Sequence, residues 1–113
     1  MTEETKIAQV STTLPSREAA EAMAEAVIDS GLAACAQVSG PVASHFVWKG
    51  ERCREEEWLC VMKTPASCAV PLMELIRGAH PYETPEIIVT AVTDALPAYL
   101  AWVLENTRGP ERV

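Results

Sequence analysis

An α+β fold is the class predicted by three features of this 113-residue chain. One is an amphipathic helix with a capping serine before it and a glycine after it. Another is a pair of strands joined by a Lys49-Gly50-Glu51-Arg52 turn. The third is a proline-braced segment, HPYETPE at His80 to Glu86, that feeds directly into the apolar run Ile87-Ile88-Val89.

Taken in order, Lys6 to Thr12 is a short run with Ile7 and Val10, closed by Pro15, and reads as a buried inner strand. Ser16 is an N-cap residue. Behind it Ala19, Ala20, Met23, Ala24, Val27 and Ile28 recur at the spacing of one helix face, with the charged residues outside it and Gly31 as the stop. Leu32 to Val38 reads as a strand ended by Gly40-Pro41, too short for a second helix. Val42 to Trp48 alternates along both faces, each partly apolar, so both are expected to meet protein. Glu55 to Lys63 returns antiparallel after the turn at Lys49 to Arg52. Ser67 to Ala79 is helical, with Pro71 best placed in a first turn that begins near Val70. Glu86 to Val92 is the last strand, and its apolar run predicts burial on both faces. Pro97 starts a final helix through Asn106, and from Arg108 to Val113 a frayed tail is expected.

The order strand, helix, strand, strand, helix, strand, helix matches, in its first six elements, the ferredoxin-like βαββαβ pattern: an antiparallel sheet with both helices on one face, here with an extra C-terminal helix. The length fits a single domain over residues 1–113, with its core at about 6–107. The other sheet face lacks a cover beyond the last helix. Phe46, Trp48 and Trp58 are large apolar groups for so small a sheet, which predicts association with further copies of the chain.

Composition removes several classes of function. With 9 Lys plus Arg against 16 Asp plus Glu, the net charge of −7 repels phosphate backbones, so nucleic acid is not an expected partner. The stretch Leu32 to Trp48 is free of formal charge but is broken by Gln37, Ser39, Gly40, Pro41 and Ser44, and no membrane span is expected. MTEETKIAQV does not have the basic start and long apolar stretch of a secretory signal, so the cytoplasm is the expected compartment. Cys35, Cys53, Cys60 and Cys68 have no CxxC spacing, and reduced thiols without a structural disulfide are expected.

Between His80 and Glu86, Pro81 and Pro85 stiffen the backbone and push His80 and Thr84 out of helical geometry. An imidazole, a phenol and two carboxylates (His80, Tyr82, Glu83, Glu86) lie on this extended connector, where alternation sends Tyr82 and Glu83 to opposite sides. Residue types alone leave two readings open: a site, or a braced loop whose acids are solvated and whose histidine caps the preceding helix.

Five separated blocks carry a resemblance: LAAC at Leu32 to Cys35, Trp48-Lys49-Gly50, Lys63-Thr64, HPYETPE at His80 to Glu86, and Tyr99-Leu100-x-Trp102. Together they resemble the CutA divalent-cation-tolerance family, from Ile7 to about Thr107. The resemblance implies a ferredoxin-like homotrimer similar in architecture to PII signalling proteins, with sheets around a threefold axis and the hairpin reaching across to a neighbouring subunit. It also implies tolerance to copper and other divalent ions, with metal binding in some members and no accepted catalytic reaction. At Lys49 this chain carries a base where relatives more often carry Glu.

Copper and zinc favour imidazole and thiolate donors with carboxylate as a third type. Within the matched blocks this points to Cys35, His80 and Glu83 as metal ligands, with Cu²⁺ or another divalent ion bound and no organic cofactor. The bland reading keeps Cys35 as a core thiol and His80 as a helix cap; His45, outside the blocks, reads as an ordinary strand histidine. A second reading is a PII-like sensor that binds a small molecule or anion in a cleft between subunits, through Trp48, Lys63, Tyr82 and Glu86. An enzyme is not expected: a Cys35/His80 pair has no evident third orienting group, and no nucleophile elbow, P-loop or GxGxxG occurs.

Overall fold

The computed structural model describes residues 6–109 of the chain. Its elements are β1 (Ile7–Leu14), α1 (Arg17–Asp29), β2 (Cys35–Trp48), β3 (Glu51–Pro65), a short 3-10 turn (Ala66–Cys68), α2 (Ala69–Ala79), β4 (Ile87–Ala91) and α3 (Pro97–Glu105). The four strands form one antiparallel sheet in the order β2-β3-β1-β4, which places β1 inside, as expected, and β2 and β4 at the edges.

Helix α1 starts where Ser16 Oγ accepts the Ala19 N–H at 3.1 Å and satisfies one of the orphan donors of the first turn. Gly31 stops it in a left-handed conformation at φ 78°. Arg108 then closes that end: its backbone N–H donates to Gly31 O at 2.9 Å and its guanidinium to Asp29 O at 2.7 Å, a cation placed on terminal helix carbonyls. A side chain at Gly31 would collide with the Arg108 guanidinium. The tail is thus tied down at Arg108 instead of frayed from there, and 110–113, the rest of the expected tail, lie outside the described residues.

Alternation along β1 and β3 sends Val10, Thr12, Leu14, Cys60 and Met62 to one face, where Met23 and Val27 of α1 and Leu72 and Ile76 of α2 pack on them. Pro71 occupies the first turn of α2, where its missing N–H has no intrahelical partner to lose.

Two expectations need correction. The segments on either side of Gly40-Pro41 are not separate strands. They form one 14-residue strand that passes through a β-bulge between Ser39 and Val42, with a cis Gly40–Pro41 bond. Gly40 is required there because a Cβ would lie 2.6 Å from the Trp58 ring. The second correction concerns β4, which is apolar without being buried on both faces: as an edge strand it leaves Ile88 49% and Val89 40% exposed. The hairpin is likewise open within one chain, with Val47 70% exposed. Helix α3 covers part of the second sheet face by burying Val103, while Tyr99 and Trp102 stack on each other at 5.8 Å and stay accessible.

Candidate functional site

The connector after α2 is built by its histidine. His80 is extended (φ −79°, ψ 139°), as a residue before proline should be. Its Nε2 lies 2.8 Å from Thr13 O and 3.1 Å from Thr12 Oγ1. Its Nδ1 accepts the Tyr82 N–H at 3.2 Å. A carbonyl can only accept, so the proton sits on Nε2, and both ring nitrogens are engaged within the chain. Burial pushes the imidazole below its ordinary range, against a smaller upward pull from the Thr13 carbonyl and the Glu57 charge. Through these contacts the His80 ring pins the end of α2 to the end of β1.

Tyr82 follows from this placement. Its ring lies 4.9 Å from His80, and its hydroxyl donates to Glu57 Oε2 at 2.8 Å. Burial, together with the Glu57 hydrogen bond and the charges of Glu57 and Glu55, pushes the phenol well above its usual range. Glu57, only 8% exposed, is a buried carboxylate that the phenol satisfies.

Below the connector opens a cleft of about 830 Å³. One wall is the hairpin, with Ser44, His45, Phe46 and Trp48 from β2 and Glu55, Glu56 and Glu57 from β3. The other is the connector, with Pro81, Tyr82, Glu83, Thr84 and Glu86. Chain bends at 81–84 explain how Tyr82 and Glu83, expected on opposite sides, both border it. Five glutamates line this space, and among the described residues lining it there is no lysine or arginine.

The residues singled out in the sequence thus divide. Trp48, Tyr82, Glu83 and Glu86 come together in the cleft. His80 stands behind it, bonded to Thr13, itself a lining residue. Cys35 and Lys63 lie elsewhere: they are cross-strand partners, opposite Gln9 of β1, with Lys63 Nζ donating to Gln37 Oε1 at 2.7 Å. Cys35 and His80 therefore sit toward opposite ends of β1, and among the described residues no group of three or more His, Cys, Asp or Glu side chains is arranged within one chain to hold a metal ion. Sequence reasoning missed Glu55, Glu56, Glu57, Phe46 and His45 as cleft residues. The available signal was the Glu55-Glu56-Glu57 run, whose first and third members must share one strand face.

A four-stranded antiparallel sheet backed by two helices, with an acidic cleft between its hairpin and the α2–β4 connector, defines a small α+β fold. The chain belongs to the family described as CutA1 divalent ion tolerance protein, whose pattern matches residues 8–106. A Thermus thermophilus relative, "Divalent-cation tolerance protein CutA", is 35% identical over 95 residues, 84% of this chain and 92% of that protein. "Protein CutA" of Mus musculus is 37% identical over 95 residues; the match covers 84% of this chain and 54% of the mouse protein, so the chain spans about half its length. The crystal structure of CutA1 from Oryza sativa superposes with a TM-score of 0.89 at 29% identity, covering 95% of this chain and 98% of that one. These relatives are named for divalent-cation tolerance or for the family, not for a reaction. No helix among the described residues is long and apolar enough to cross a membrane.

Proposed function

We propose that the chain binds divalent cations, copper among them, in the acidic cleft and serves divalent-cation tolerance in the cytoplasm as a homotrimer. The observation that carries this reading is the convergence of five glutamates, without a lining lysine or arginine among the described residues, on one cleft of about 830 Å³. Carboxylates held in one concave space focus a negative potential there and concentrate cations. His45, on the same wall, adds the nitrogen donor that copper favours over carboxylate alone. Glu83 keeps the ligand role expected of it, His80 holds the connector in place, and Cys35 lies outside the cleft. Among the described residues no three donors are arranged within one chain to hold a metal ion, so water or a neighbouring copy completes the coordination. Trimer assembly is supported by the apolar groups left open on β4, α3 and the hairpin, among them Ile88, Trp102, Phe46 and Trp48.

The alternative is a PII-like sensor that takes a small molecule or anion between subunits. The aromatic groups Phe46, Trp48 and Tyr82 around a cleft of ligand size favour it. Against it, Lys63, its expected cation, is bonded to Gln37 away from these residues. Competition calorimetry with Cu²⁺, beside a screen of nucleotides and organic anions, separates the two. The cation reading expects chelator-resistant copper binding and no anion response. Anion binding without copper binding would replace it with the sensor reading.

A further inference from the structure

The hairpin tip places a lysine next to a residue of the cleft wall. Lys49 and Gly50 form a two-residue turn with positive φ at both positions, 51° and 80°, the geometry that matches the twist of the flanking strands. Glycine adopts such a φ freely, but a lysine does not, so the turn holds the Lys49 backbone in one orientation. From there its side chain folds back, and Nζ lies 5.7 Å from the centroid of the Trp48 ring. That distance is a cation–π contact. Trp48 is one of the cleft's lining residues, and on its face of the hairpin it is followed by Phe46 and Ser44 and faced across the strands by Glu51, Cys53 and Glu55. The chain's own ammonium group therefore lies against a residue that also lines the space bordered by the five glutamates.

We propose that Lys49 is a tethered cation at the rim of the cleft that weakens its hold on divalent ions, with Trp48 fixing where that charge sits. This rests on the reading of the cleft as a cation site. A positive charge beside the entrance lowers the potential available to an incoming ion. It does so without contributing a ligand, so it sets affinity and salt dependence while leaving the donor set alone. The same contact makes the tip a determinant of selectivity by charge: a divalent ion feels the ammonium twice as strongly as a monovalent one.

The size of the effect follows from Coulomb's law. A unit charge about 10 Å from a divalent ion in water changes its affinity about fourfold at low ionic strength. At 0.1 M salt, where 10 Å is about one Debye length, the change falls to about twofold. Lys49→Gln should therefore tighten Cu²⁺ binding about fourfold at low salt, and Lys49→Glu should square that factor to about 16-fold. Lys49→Arg keeps the charge and stacks on an aromatic ring as well as lysine does, so it should leave affinity unchanged. In a Trp48→Leu background the ammonium loses its seat, and the effect of Lys49→Gln should fall below about twofold. Each affinity is read by competition calorimetry against a chelator, at 10 mM and 100 mM salt, with thermal melting measured on every variant.

The graded order Glu tightest, Gln next, then Arg equal to wild type, shrinking with salt, is the expected result. Equal copper affinity in the wild type, Lys49→Gln and Lys49→Glu overturns the role of Lys49 while leaving the cleft intact as a cation site. Lys49→Arg tightening as much as Lys49→Gln also overturns it, because a charge effect cannot survive replacement by another cation. Failure of all variants, wild type included, to bind copper removes the cleft reading and this one with it.

Discussion

Replacing His80 by alanine tests how the cleft is held together. The imidazole satisfies Thr13 O, the Thr12 hydroxyl and the Tyr82 N–H at 2.8, 3.1 and 3.2 Å, and Thr12 is fully buried. A net hydrogen bond contributes about 1 kcal/mol, and a buried group left without a partner costs about 1–3 kcal/mol. With the Thr12 hydroxyl fully buried, the loss should be at least about 1–3 kcal/mol. Urea unfolding at one fixed protein concentration reads it, since assembly ties stability to concentration. The pH dependence gives a second, independent check. Burial lowers the folded-state pKa of His80 below its ordinary 6.5, so below about pH 6.5 the unfolded chain binds the proton more readily. Stability from the neutral imidazole is thus complete above pH 6.5 and is lost as pH falls through the folded value. The wild type should lose more stability between pH 7 and pH 5 than His80→Ala does, and the difference isolates this group from the acids. A loss under about 0.5 kcal/mol at pH 7, within the range of an ordinary surface substitution, with parallel pH profiles, would refute the pinning role.

Two further outcomes follow from the same geometry. Tyr82→Phe strips Glu57 of its phenol donor and should cost about 1–3 kcal/mol, the range for an unsatisfied buried polar group, in the same urea assay. Among the thiols, half-buried Cys35 and Cys53 should react with a thiol reagent before Cys60, which, fully buried and with its pKa pushed up to about 11, should react only on denaturation; mass spectrometry of timed samples checks the order.

The elements were legible wherever a local rule sufficed. Ser16 and Gly31 mark α1 because capping is decided by a handful of neighbouring atoms, and Lys49-Gly50 marks the hairpin because few residues tolerate positive φ. The bulge at Gly40 was not legible, because it depends on Trp58, far along the chain, packing against a missing side chain. The apolar run of β4 looked like a buried strand since periodicity reports hydrophobicity and not what covers it. At the candidate site, HPYETPE marked a stretch that borders the cleft, but the contacts of His80 with Thr12 and Thr13 lie more than sixty residues earlier. Cys35 was expected as a ligand because it lies in a matched block; strand register carries it toward the other end of β1, away from His80 within one chain, which residue types alone could not show.

The cation-binding claim is tested most directly by removing charge from the open side of the cleft. Glu83→Gln and Glu86→Gln together neutralise two of its five carboxylates without touching the Tyr82–Glu57 pair. Copper affinity measured against a chelator at low ionic strength should fall at least about tenfold, about 1.4 kcal/mol, for two charges lost near a divalent ion, while sedimentation and melting temperature stay those of the wild type. Copper affinity unchanged in that double variant would contradict the assignment of the cleft as the cation site.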